Sequence, residues 1–158
     1  MKFSLSMIAA ATVLAAPAFA EGDAAKGERV FNQCQTCHVV ANEAGEVLAG
    51  RNAKTGPNLY GVVGRTAGTY PDFEYGESIV AAGAGGLVWD EAQMVTYLAD
   101  PGAFLKEVTG DASARSMMAF KLRKPEDAAN VVAYIASLAP AAEAAPAVEG
   151  EAAPAANP

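Results

Sequence analysis

The chain has 158 residues, 52% of them hydrophobic, with a formal net charge of −7, two cysteines and one histidine. This length accommodates one domain with its own core, and a sequence pI near 4.6 excludes nucleic-acid binding through bulk positive charge. Two cysteines cannot staple a disulfide scaffold, and a single histidine excludes any site that needs two imidazoles.

In chain order, Lys2, the apolar run over residues 3–16 and the small-x-small Ala18-Phe19-Ala20 predict a cleaved signal peptide over residues 1–20. The run is shorter than the roughly 20 residues a span requires, and no other segment is long and apolar enough, so the expected product is exported without a membrane anchor. Asp23 can N-cap a first helix in which Gly27, Phe31 and Cys34 share a face. Residues 39–75 carry six glycines and two prolines and are expected to have little regular structure, a loop long enough to require something to wrap. Short helical turns are expected over 76–82 and 102–108. Asp90 can cap a helix with Met94, Tyr97 and Leu98 on one stripe, stopped by Pro101. Pro125 suits the first turn of a last helix presenting Val131, Tyr134, Ile135 and Leu138. Residues 140–158, rich in Ala, Pro and Glu, cannot bury enough apolar surface to offset their ordering entropy and read as a disordered tail. The folded domain expected is 21–139, all-α, with three main and about two short helices.

Cys34-Gln35-Thr36-Cys37-His38 is a C-x-x-C-H run, the attachment pattern of a c-type haem. Two thiols at this spacing add across the two vinyl groups of one porphyrin, and the next residue projects an imidazole at the iron. A redox dithiol would need the motif at a helix start after a strand, and structural zinc would need a fourth Cys or His. A large cofactor also supplies what 39–75 would wrap. An electron carrier is served by a closed, six-coordinate iron, and methionine paired with histidine raises the potential. The exported part offers Met94, Met117 and Met118; Met94 lies on an apolar helix stripe.

Beyond the motif, Gly27-x-x-x-Phe31, the run Thr55-Gly56-Pro57-Asn58-Leu59-Tyr60-Gly61-Val62-Val63-Gly64-Arg65, Gly86-Leu87-Val88-Trp89, Tyr97-Leu98-x-x-Pro101 and Met118-x-Phe120-Lys121 occur in an order that resembles the class I c-type cytochromes, within them the bacterial cytochrome c2 group. The resemblance covers nearly all of 22–139. It implies a helical fold around one haem c held through Cys34 and Cys37, single-electron transfer rather than enzymatic turnover, and iron ligation by His38 and Met118. The family carries a basic residue where this chain has Met117, a departure that leaves exchange between the two sulfurs open. The resemblance further implies that the Pro57 carbonyl accepts the Nδ1–H of His38, that Arg65, Tyr75 and Trp89 hold the propionates, that Ser116 joins that network and that Tyr97 lies near the Met sulfur. Gly27 is expected to let the last helix cross the first closely.

Residues 106–124 hold Lys106, Arg115, Lys121, Arg123 and Lys124 against Glu107 and Asp111, whereas the rest of 21–139 has five basic and thirteen acidic residues. A basic rim beside Met118 would steer acidic redox partners. The resemblance implies a monomeric periplasmic carrier between two membrane complexes, a cytochrome bc1-type quinol-oxidising donor and a photosynthetic reaction centre or terminal oxidase. A haem enzyme or sensor would instead need a displaceable sixth ligand.

Overall fold

The computed structural model describes residues 22–139; the expected signal peptide and tail lie outside the described residues. Five helices and one small hairpin follow in the order α1 (Ala24–Phe31), β1 (Val39–Ala41), β2 (Val47–Gly50), α2 (Glu77–Ala84), α3 (Glu91–Ala99), α4 (Pro101–Thr109) and α5 (Pro125–Ser137). The Asp23 carboxylate accepts from the Lys26 N–H at the start of α1, and Asp90 forms a full capping box with Gln93 at α3. Both caps satisfy N–H groups that a helix end leaves unpaired. Pro101 does more than stop α3. It opens α4 at once, with Asp100 as C-cap of one helix and N-cap of the next.

Three expectations are corrected. Helix α1 ends at Phe31, so Cys34 stands on the turns that follow rather than on the helix face with Gly27 and Phe31. Residues 39–75 also contain the antiparallel pair β1–β2. The Asn42 side chain closes this hairpin, accepting from the Glu46 N–H at 2.9 Å, and Gly45 takes the left-handed φ of 82° that its turn requires. Strands of three and four residues leave too little alternation to detect. The supposed short helices are also no shorter than their neighbours, since α1 and α2 have 8 residues each, α3 and α4 have 9 each, and only α5 reaches 13.

Helices α1 and α5 cross at Gly27, where a Cβ would run into the Asn130 carbonyl and meet the Tyr134 Cβ at 2.7 Å. Phe31 and Tyr134 pack beside the crossing with ring centroids 5.7 Å apart, and Asn130, a buried polar residue, accepts from the Asp23 N–H at 2.7 Å. Val131, Val132 and Ile135 carry α5 into a core shared with Phe31, Val40, Trp89, Met94, Phe104 and Leu105. Residues 64–67 run beside 87–89 through three main-chain bonds, Gly64 N–H to Trp89 O, Trp89 N–H to Arg65 O and Ala67 N–H to Leu87 O. This pairing fixes Arg65 and Trp89 relative to each other. Among the described residues, no helix is long and apolar enough to cross a membrane.

Candidate haem-binding site

An apolar cavity of about 640 Å³ opens between the turns after α1, the segments around 55–66 and 73–79, helices α3 and α5, and residues 115–120. Cys34, Cys37, His38, Pro57, Arg65, Tyr75, Trp89, Tyr97, Ser116 and Met118 all line it, so one space gathers every cofactor-binding residue expected from the sequence. The motif reaches it because the Cys37 and His38 N–H groups both return to the Cys34 carbonyl, at 3.0 and 2.9 Å. This tight turn brings the side chains of Cys34, Cys37 and His38 to one volume. Burial, reinforced by Cys37, pushes the Cys34 thiol up to about 11.

The His38 imidazole lies with Nδ1 2.9 Å from the Pro57 carbonyl oxygen. Burial lowers its pKa and that hydrogen bond opposes the shift, so the ring is held neutral with Nε2 as the free lone pair. Gly56 makes the approach possible: a Cβ there would stand 2.7 Å from His38 Nδ1.

Arg65 donates to the carbonyls of Tyr60 and Asn58 at 3.1 and 3.0 Å, and its Cζ sits 5.1 Å from the centre of the Tyr70 ring. Burial lowers its pKa, with Tyr75 and Tyr70 acting in the opposite sense. No carboxylate among the described residues pairs with this half-buried cation. A buried charge needs a partner, and haem propionates are the anions that fit. Trp89 stacks on Phe104, with centroids 5.7 Å apart, and meets Tyr97 edge to face at 5.1 Å.

Residues 115–118 are held from two directions. The Arg115 N–H donates to Ser78 Oγ at 3.0 Å, while Ser116 Oγ accepts the Met118 N–H at 3.1 Å and bonds the Tyr97 hydroxyl at 3.0 Å. Burial raises the Tyr97 pKa, and the bond to Ser116 opposes it. Met118 is half-buried. Met117 is 70% exposed and lies over Gly76, and Met94, at 8% exposure, combines core packing with a place on the cavity wall.

Of the five basic residues expected to dock partners, Arg115 alone lines the cavity. Lys106, Arg123 and Lys124 are exposed outside it, and Lys121 donates to Asp100 at 2.6 Å. Sequence reasoning missed Asn58, Tyr70 and Ser78, whose side chains act on residues up to 37 positions away. No periodicity marks such contacts. The cavity's size, its apolar walls, the thiol pair beside a neutral imidazole and the unpaired guanidinium all suit a covalently held porphyrin.

The family model described as cytochrome c matches residues 24–139. The chain is 58% identical over 142 residues to cytochrome c2 of Cereibacter sphaeroides, covering 88% of this chain and 98% of that protein. It is 59% identical to cytochrome c2 of Rhodobacter capsulatus, over 87% and 98% of the two chains. The solved structure of cytochrome c2 from Rhodobacter sphaeroides superposes with a TM-score of 0.73 at 60% identity, covering 74% of this chain and 96% of that one. Ferric cytochrome c-550 from Paracoccus versutus superposes at 0.71 with 45% identity, over 76% and 100%. The chain therefore belongs to the cytochrome c family, an electron-carrying c-type cytochrome of class I fold whose cofactor is one haem c held through Cys34 and Cys37.

Proposed function

We propose that the protein is a periplasmic single-electron carrier whose haem iron is ligated by His38 and Met118, exported by residues 1–20 and working without enzymatic turnover. The observation that carries this reading is an apolar cavity that takes Cys34, Cys37 and His38 from one segment and Met118 from another. Bound haem supplies an iron that cycles between ferric and ferrous states. The chain supplies the rest. His38 presents Nε2 while the Pro57 carbonyl orients the ring and raises its donor strength. Arg65, with Tyr75 and Trp89 in the same cavity lining, would support the propionates. Ser116 and Tyr97 hold the Met118 main chain in place, so the thioether need not move between oxidation states. A small structural change on electron transfer keeps the barrier low.

Residues 106–124 form the proposed docking side. Met117, Ala119 and Phe120 are exposed residues of the cavity lining, as is Arg115, and Lys106, Lys121, Arg123 and Lys124 add exposed positive charge on the same stretch of chain. This complements acidic surfaces of membrane-bound redox complexes, a quinol-oxidising donor of bc1 type and a reaction centre or oxidase as acceptor. The test is a visible spectrum of the exported protein in both oxidation states, with carbon monoxide added to the ferrous form. The expected result is a six-coordinate c-type spectrum, a long-wavelength ferric band from sulfur on iron, and no carbon monoxide adduct. Rapid adduct formation would favour a haem enzyme or sensor with a displaceable methionine.

A further inference from the structure

Asn58 follows directly after Pro57, and its side chain makes hydrogen bonds to three other residues, Ala41, Tyr60 and Tyr70. Its Oδ1 accepts the N–H groups of Ala41 and Tyr60, both at 3.0 Å, and its Nδ2 donates to the Ala41 carbonyl at 2.7 Å. Its main-chain carbonyl accepts from Arg65 at 3.0 Å. The primary amide thus behaves as one further peptide group laid against Ala41, pairing with both the donor and the acceptor of that residue. Ala41 needs such a partner because the β1–β2 register shifts between Val40 and Ala41. Pro57 has no N–H and cannot tie itself to β1. Residues 56–59 are instead aligned with 37–41 by Gly56 N–H to Cys37 O at 2.7 Å, Leu59 N–H to Val39 O at 2.9 Å, and the Asn58 amide at Ala41.

The carbonyl that meets His38 Nδ1 is therefore held between two clamped neighbours, and one clamp is a side chain. We propose that Asn58 is a positioning residue for the bond between iron and His38: its amide fixes the Pro57 carbonyl against Nδ1–H, and its own carbonyl ties that geometry to Arg65. This rests on the reading of His38 as iron ligand. An imidazole whose Nδ1–H is held by an acceptor is a stronger donor and favours ferric iron. Loosening the bond weakens the donor and favours the ferrous state. No other residue type reproduces the fit: Asp lacks the donor, Gln is longer, and Leu offers neither group.

The experiment compares holoproteins carrying Asn58→Leu and Asn58→Ser with the unaltered protein. Serine can still accept from the N–H two residues on, and so keeps the local turn at Tyr60, but it cannot span to Ala41. Both variants should shift the reduced-to-oxidised ratio at fixed solution potential by about two- to tenfold toward reduced, tenfold being 59 mV for one electron. His38 Nδ1–H exchange, followed by proton NMR, should accelerate roughly tenfold or more in both. A measurement on the unaltered protein needs no variant: the Ala41 N–H and the His38 Nδ1–H should share one opening free energy and one denaturant dependence. A serine variant with unaltered potential and exchange would overturn the proposal in favour of the local turn, and so would variants that lose thermal stability alone. Separate openings for the two protons would overturn it as well. An unaltered holoprotein without a histidine-ligated haem spectrum would sink the electron-carrier reading itself, and this inference with it.

Discussion

The two segments that bring the expected iron ligands to the cavity are held by different kinds of bond. Residues 34–59 are tied largely by main chain to main chain, Cys37 and His38 to Cys34, Gly56 to Cys37, Leu59 to Val39, with the Asn58 amide added at Ala41. Residues 111–121 are tied largely through side chains: Arg115 to Ser78, Ser116 to Tyr97, Met118 to Ser116, Lys121 to Asp100. Leu122, whose N–H reaches the Leu98 carbonyl at 2.8 Å, is the main-chain anchor on that side. Each hydrogen bond is worth about 1 kcal/mol net, and an exposed ion pair such as Lys121–Asp100 contributes about 0–1 kcal/mol. The difference lies in exposure. On the Met118 segment the Arg115–Ser78 and Lys121–Asp100 bonds are exposed, where local opening costs least, so this is the segment expected to open first.

The largest effect should come from removing what both segments enclose. Cys34→Ala with Cys37→Ala leaves an apolar cavity of about 640 Å³, and at about 24 cal/mol per Å³ the upper-limit penalty is roughly 15 kcal/mol. That equals or exceeds the roughly 5–15 kcal/mol stability of a typical domain. The double variant is therefore expected to lack covalent haem and a cooperative thermal transition. A compact, protease-resistant product would show that the fold stands without haem.

Two glycines then set the segments against each other. Gly56→Ala drives a methyl into His38, a ring fixed by Pro57, and should cost about 3 kcal/mol or more in a denaturant titration. At Gly76 a Cβ meets Met117 Cγ at 3.0 Å, but that side chain is exposed and free to move, so Gly76→Ala should cost less than about 1 kcal/mol. Equal costs would break the contrast.

Ligation comes next. Met118→Ala should abolish the long-wavelength band of sulfur-bound ferric iron and lower the potential, since a thioether stabilises ferrous iron. Met117→Ala should leave both unchanged, because its side chain is 70% exposed beside Gly76 while the main chain of Met118 is held by Ser116. The reverse pattern would move the ligand by one residue.

The smallest effects concern docking. Second-order electron transfer to an acidic partner should slow as salt rises, a Debye length of about 10 Å at 0.1 M screening the steering field. Arg115→Glu at the cavity mouth should slow association and flatten that salt dependence more than Lys26→Glu, whose side chain pairs with Asp23. Lys121→Glu has a second consequence, since it places two carboxylates together at Asp100 and should also speed hydrogen exchange in residues 118–122. Salt-independent rates would remove the docking role from this face.

Much of the fold was legible because its signals are local. Asp23, Asp90 and Pro125 announce helix starts through bonds or geometry spanning three or four residues. The end of α1 at Phe31 was not legible, because the turns through Cys34 keep the apolar spacing after the helix has stopped. The hairpin escaped for a similar reason: its turn depends on the Asn42 side chain rather than on a two-residue Gly turn.

By itself the sequence determined the cofactor and its attachment, since two thiols and an imidazole within five residues suit one porphyrin in any compact chain that can enclose it. It also determined most helix starts. Only the tertiary structure decided that Asn58 pairs with Ala41, that Ser78 holds Arg115, and that Lys121 spends its charge on Asp100, 21 residues away. Those partners are far apart along the chain and are polar singletons. Neither property leaves a periodic trace, so their geometry exists only once helices capped locally have packed around a shared core.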